Sequence, residues 1–243
     1  MNPDSRPRAP QPPPDPAWEA APFIRDVTTA LVVINLVVFV IEPHGATMFR
    51  RLFELRYSLS LDGLKAHYWW QFLTYQFLHA GWIHLGANLL LLHSLGPVLE
   101  TTLGRRRFLA LYLVSGVVGG LAQMGGALVS PRHFGHPVVG ASAGLCGLVS
   151  ALGTLYAEQR VQGLLLFLIP FRVKAKILLL IAGLLTIAGT LFPVGNVAHL
   201  AHLGGFLGGL LCVNFMPARP LDLWESTPPV PDPEPGTGPR NPG

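Results

Sequence analysis

Across the 190 residues from Val27 to Met216 the chain carries only 17 of its 30 Asp, Glu, Lys and Arg side chains. A soluble domain of that size needs a charged outer surface, and this stretch cannot build one. Apolar residues make up 50% of the whole chain, with 27 glycines on top. Charged residues make up 12%, against about 25% in an ordinary globular protein. The composition is that of a chain dissolved in a bilayer.

The two ends have the opposite character. Residues 1–22 and 217–243 hold 17 of the 23 prolines, in strings such as Pro12-Pro13-Pro14 and Pro228-Pro229-Val230-Pro231. Such segments lack the apolar content to offset the entropy of ordering. Residues 1–26 and 217–243 therefore read as disordered tails flanking one membrane domain, residues 27–216. The first apolar run follows a polar arm and is not followed by a small-residue cleavage site, which predicts no removable signal peptide. A disulfide scaffold is excluded, because the only two cysteines, Cys146 and Cys212, lie in apolar runs. Nor does the net charge of +4 point to nucleic acid, since the basic residues sit in short clusters between apolar segments.

Six segments are apolar enough to cross about 30 Å of hydrocarbon: roughly 27–42, 81–103, 107–129, 140–158, 175–192 and 197–216. They predict an all-α, polytopic membrane protein. The fourth and sixth are rich in glycine and alanine, and small residues at four-residue spacing (Ala143, Gly147, Ala151; Gly205, Gly209) let helix backbones approach closely in lipid. Those two helices are expected to touch. Residues 43–80 mix aromatics with charges and read as a long loop lying in the membrane interface between the first two helices. Residues 161–173 are apolar but short and interrupted by Pro170, so they are not counted as a span. Placing both termini in the cytoplasm puts twelve Lys and Arg inside and five outside, the orientation that the positive-inside rule favours.

Polar side chains inside a membrane are expensive, so each is a candidate for function. Ser142 precedes Arg160 by 18 residues, while His202 precedes Arg219, and Asn88 precedes Arg105, by 17 each. With about 1.5 Å of rise per residue, the three reach one level on three different helices, roughly 25 Å from the inner end. His84 lies one turn above Asn88. A serine hydroxyl needs a base to become a nucleophile, and a histidine within hydrogen-bond reach is the usual one. The oxyanion that forms next needs donors, which an Asn amide, a His N–H and the backbone N–H groups at a helix start can supply. No carboxylate falls at that depth, so the residues offer a dyad and not a triad.

Four motifs in order resemble the rhomboid family of intramembrane serine proteases: His84-Leu-Gly-Ala-Asn88, Gly96-Pro-Val-Leu-Glu100-Thr-Thr-Leu-Gly104, Gly140-Ala-Ser142-Ala, and Ala201-His202-Leu-Gly-Gly205-Phe-Leu-Gly-Gly209. The resemblance implies a six-helix membrane core with Ser142 as nucleophile and His202 as base. It implies an oxyanion hole of His84, Asn88 and the Ser142 amide, with Gly140, Gly205, Gly209 and Glu100 as structural residues around the site. It further implies a multi-pass protein of a bacterial inner membrane, whose site opens to the outer side and acts on transmembrane helices, without metal or cofactor. In two places this chain departs from the pattern. Trp70-Gln71 stands where many members carry Trp-Arg, which removes a charged anchor of the first loop, and Cys146 stands where an aromatic residue often underlies the base.

Two other readings compete. His199, His202 and His84 could be imagined as a zinc site, but no His-Glu-x-x-His motif and no carboxylate at the right depth accompany them. An inactive relative that only binds membrane clients typically lacks the serine or the histidine, and this chain has both. Among the remaining histidines, His93 falls on the helix face opposite His84, His79 stands near the entrance, and His199 points about 60° away from His202, toward the outer mouth. Glu100 reads as a structural tie at the inner end of the second helix.

Overall fold

The computed structural model describes residues 26–45, 47–165, 169–192, 195 and 197–216. The proline-rich tails lie outside the described residues. The order of elements is α1 (Val27–Ile41), α2 (Met48–Tyr57), α3 (Leu61–Lys65), α4 (Gln71–Thr74), a 3-10 turn (Tyr75–Phe77), α5 (Trp82–Leu103), α6 (Arg105–Val129), α7 (Pro131–Phe134), α8 (Ser142–Leu155), a hairpin of β1 (Arg160–Leu165) and β2 (Ile169–Lys174), α9 (Ala175–Leu191) and α10 (His199–Phe215).

Each of the six apolar segments forms a helix with ends within 3 residues of the expected bounds. Among the described residues only α5 and α6, at 22 and 25 residues, have both the length and the composition to cross a membrane; α1, α8, α9 and α10 are apolar but shorter. The fourth segment is trimmed at both ends, because Gly140 adopts φ +126° before α8 and the chain leaves the helix at Tyr156. Within the stretch not counted as a span, residues 160–165 and 169–174 pair antiparallel in a register running from Arg160 opposite Lys174 to Leu165 opposite Ile169. At its base the exposed Glu158 carboxylate bonds Lys174 and Lys176, which hold its pKa down at about 2.

Residues 43–80, read from sequence as one long loop, fold into α2, α3, α4 and the 3-10 turn. Side-chain caps start the first two helices: Thr47 Oγ1 accepts from the Arg50 N–H at 3.2 Å, and Ser60 Oγ from the Gly63 N–H at 3.1 Å. Gln71 is fully buried where these pieces meet; its Oε1 accepts from the Ser60 N–H at 3.2 Å and its Nε2 donates to the Leu55 carbonyl at 2.7 Å. A neutral amide thus anchors these pieces where the family resemblance would have put a charged one. The nearby cation is Arg56, over the rings of Tyr68 and Trp70 at 5.5 and 5.6 Å.

The core lies where α5, α6 and α8 meet, around Leu92, Leu99, Phe108, Leu111, Tyr112, Leu145 and Leu148, all buried. By contrast, Leu180, Leu184 and Leu185 of α9 are exposed, a distribution suited to lipid and not to water. Glu100 fastens α1 to the end of α5. Its carboxylate accepts from the Val27 N–H at 2.8 Å, the Thr28 N–H at 2.9 Å and the Thr28 hydroxyl at 2.8 Å. A carboxylate on free amides at a helix start also satisfies the helix dipole. Thr102, on the same end of α5, bonds Tyr156 just past α8, so Arg105–Arg107 and the hairpin share one end of the bundle. Ser142, His202 and His84 lie at the other.

Candidate active site

Ser142 opens α8, and what holds it there is the strand-like run before it. Leu59 and Val138 exchange backbone bonds at 3.0 and 2.9 Å, and the Gly140 N–H donates to the Tyr75 carbonyl at 2.9 Å. Tyr75 is itself buried, and its hydroxyl donates to the Gly116 carbonyl at 2.6 Å. Gly140 is needed twice over. Its positive φ disfavours any side chain, and a Cβ there would lie 2.7 Å from His84 Cε1, 2.9 Å from His84 Nε2 and 3.7 Å from Ser142 Oγ. The imidazole and the hydroxyl therefore flank one point in space.

His202 sits in the first turn of α10, with its Nε2 2.7 Å from Ser142 Oγ. That distance depends on glycine. A Cβ on Gly205 would meet the Ala143 carbonyl oxygen at 2.1 Å, one on Gly209 the Gly147 carbonyl oxygen at 2.3 Å, and one on Gly119 of α6 the Ala201 carbonyl oxygen at 2.5 Å. The fourth and sixth apolar segments touch, as their small residues led us to expect. The start of α10 is also tied from α6 by Gln123, whose Oε1 accepts from the Ala201 N–H at 3.1 Å and whose Nε2 donates to the Phe134 carbonyl at 2.9 Å.

For the Ser142 hydroxyl to donate to Nε2, the neutral His202 ring carries its proton on Nδ1. The first amides of α8, starting with that of Ser142, have no acceptor within the helix and lie at the positive end of its dipole. His84 Nδ1 accepts from the Ala80 N–H at 3.4 Å, which leaves the ring proton on Nε2, beside Gly140 and Ser142. Asn88 is buried one turn below, and its Nδ2 donates to the His84 carbonyl at 2.8 Å. His79 packs edge-on against His84 with ring centroids 5.2 Å apart and is 1% exposed. Burial, helped by His84, holds its pKa down at about 4.

Ser142, His202 and His84 line a cavity of about 540 Å³, together with Val138, Val139 and Ala198, and with Glu42, Arg50, Glu54 and Ser58. Asn88 does not line it. Arg50 and Glu54 of α2 and Ser58, the residue that caps it, line up on one side at four-residue spacing, while Phe49, Leu52 and Leu55 of that helix are exposed. Of the histidines set apart by sequence, His93 is exposed on α5. His199 turns toward α9, where a Cβ on Gly189 would lie 2.3 Å from its Nδ1; its ring stands 6.2 Å from that of His202, edge to face. Among the described residues, no three His, Cys, Asp or Glu side chains converge as a metal site would require, and both cysteines are free. Sequence reasoning passed over Gln123 and the acidic residues of the cavity wall. A polar residue within an apolar helix was the available signal for Gln123; Glu42 is the last residue of the first apolar segment and Glu54 lies in the connection after it, positions where a charge is unremarkable.

Fold and site together define a helical protein of membrane character that presents a serine hydroxyl to a histidine at one end of its bundle. The rhomboid domain family matches residues 66–218. The chain is 35% identical to rhomboid protease GluP of Bacillus subtilis over 58% of its own length, but that match covers 25% of GluP. It is 32% identical to RHOMBOID-like protein 7 of Arabidopsis thaliana, over 80% of this chain and 67% of that one. It is also 32% identical to the mitochondrial Rhomboid protein 1 of Saccharomyces cerevisiae, over 56% of this chain and 38% of that one. The chain belongs to the rhomboid family of integral-membrane, intramembrane-protease-type proteins, some of whose members are inactive.

Proposed function

We propose that this protein is an active intramembrane serine endopeptidase, with Ser142 as nucleophile and His202 as general base. The observation that carries the reading is the 2.7 Å contact between Ser142 Oγ and His202 Nε2 at the edge of a cavity. In this reading Oγ attacks the scissile carbonyl as its proton passes to Nε2. The oxyanion is met by the Ser142 amide at the start of α8 and by His84 Nε2–H. Asn88 holds the His84 backbone from below and keeps a second amide N–H for the same oxygen. His202 then protonates the leaving amine, and water activated by the same ring hydrolyses the acyl-enzyme.

The six longer helices are read as six spans, four of them shorter than the ~20 residues that 30 Å requires, with the interface and bilayer thinning covering the difference. In this reading the hairpin end faces the cytoplasm of a bacterial inner membrane and the cavity opens to the outer side, an orientation that the excess of Lys and Arg at the hairpin end supports. Substrates are transmembrane helices of other proteins, whose chain must unwind to enter the cavity.

Cleavage of a model single-pass substrate in lipid vesicles tests this. Ser142→Ala should abolish cleavage without loss of fold. Asn88→Ala or His84→Ala should lower kcat on the order of 10²-fold with KM little changed. EDTA should have no effect. Cleavage that survives Ser142→Ala, or that EDTA stops, would overturn the assignment.

A further inference from the structure

The cavity wall carries charges that the hydrolytic reading does not use. Glu42, just past α1, is 3% exposed and lines the cavity; its Oε2 accepts from the His79 N–H at 3.3 Å. Among the described residues no hydrogen bond reaches its Oε1. Two other charged residues line the same space, and they neutralise each other: Arg50 Nε lies 2.7 Å from Glu54 Oε1. His84 and His202 enter the proposed hydrolysis as neutral rings. Counting Glu42, Arg50 and Glu54, the cavity wall carries one net negative charge, with Arg50 within Coulombic reach of Glu42 as well as of Glu54.

A volume of 540 Å³ is about 10 Å across if taken as a sphere, room for about three residues of extended chain at ~3.3 Å each. A substrate whose scissile bond lies at Ser142 thus has side chains within the same enclosure as Glu42. An isolated charge in a low-dielectric site favours an opposite charge and penalises a like one far more than it would in water.

We infer that Glu42 is a specificity-determining residue that selects substrates carrying a lysine or arginine within about three residues of the scissile bond and rejects those carrying an acidic residue there. The inference rests on the hydrolytic reading and extends it to substrate choice. Arg50 acts in the opposite sense, by keeping Glu54 from adding a second negative charge.

Competitive cleavage of sets of three otherwise identical model substrates, carrying Lys, Gln or Glu at each position within about three residues of the cleaved bond in turn, tests the proposal. The wild-type protein should cleave the best-placed Lys substrate at least tenfold faster than its Glu counterpart. Glu42→Gln retains an oxygen to accept the His79 N–H but removes the charge, and should bring that ratio to near one; Glu42→Lys should invert it. Arg50→Gln, which leaves Glu54 unpaired, should raise the ratio, and it keeps the test open should the Glu42 variants fail to fold. A wild-type ratio near one at every position, or a ratio unchanged by Glu42→Gln or by Arg50→Gln, overturns the inference while leaving the hydrolase standing. If none of the substrates is cleaved and Ser142 takes up no fluorophosphonate, the hydrolytic reading itself fails.

Discussion

Gly205 of α10 lies so close to Ala143 of α8 that a Cβ on it would stand 2.1 Å from the Ala143 carbonyl oxygen. The contact is backbone to backbone, one residue beyond Ser142 and three beyond His202, so it sets the distance between the two side chains.

Gly205→Ala should accordingly push α10 away from α8 and act on chemistry and stability together. Overpacking of this kind costs about 1–3 kcal/mol, and the rate of Ser142 labelling by a fluorophosphonate should drop at least tenfold. Gly125 is the control, since a Cβ there meets nothing within 4 Å; Gly125→Ala should leave the labelling rate as it is. Equal labelling of the two variants would mean that the interhelical contact does not set the site.

Gln71 leads to a prediction against family resemblance. The resemblance implies arginine at this position, yet here the amide is buried, and a Cβ on Gly63 would already lie 2.1 Å from its Nε2. Gln71→Arg should therefore destabilise the α2–α4 layer by about 1–3 kcal/mol, through overpacking and a buried unpaired charge. A thermal-unfolding midpoint in detergent reads the effect; a raised midpoint would contradict it.

How far the sequence could be read follows from the length of each signal. Long apolar runs marked six helices, since an apolar run of that length in a charge-poor chain has few other folds available. The counted rise from basic residues to Ser142 and His202 put them at one level because both helices advance by the same step per residue. What could not be read was tertiary or short. The helices of residues 43–80 run from 4 to 10 residues and show no sustained period. Asn88 was legible as a polar residue at the right depth, but its bond to the His84 carbonyl was not, because depth along a helix says nothing about rotamer. The negative cavity wall arises only because α2 folds back over Ser142, bringing together residues that no spacing rule connects.

His79 makes a pH prediction. Its folded pKa is near 4 and the unfolded value near 6.5, so between these values the unfolded chain binds the extra proton and acid favours unfolding. This contribution is fully present above about pH 6.5 and is lost as pH falls toward 4; Glu42 and His84 are the titratable groups beside it. The ceiling is about 3 kcal/mol, the fall from 6.5 to about 4 taken at about 1.36 kcal/mol per tenfold change in proton affinity. Melting in detergent from pH 7 to pH 4.5 should show a falling midpoint, and His79→Phe should flatten that fall. An identical pH profile in the variant would remove His79 from the explanation.

The central claim is that the His202 ring makes the Ser142 hydroxyl a nucleophile. The most direct measurement is labelling of the detergent-solubilised protein with a fluorophosphonate, with the adduct located by peptide mass spectrometry. The account predicts a single adduct on Ser142, absent in Ser142→Ala and in His202→Ala, and present at no less than about a tenth of the wild-type rate in His199→Ala, whose ring faces α9. An adduct on another residue, or labelling that survives His202→Ala but not His199→Ala, would contradict it.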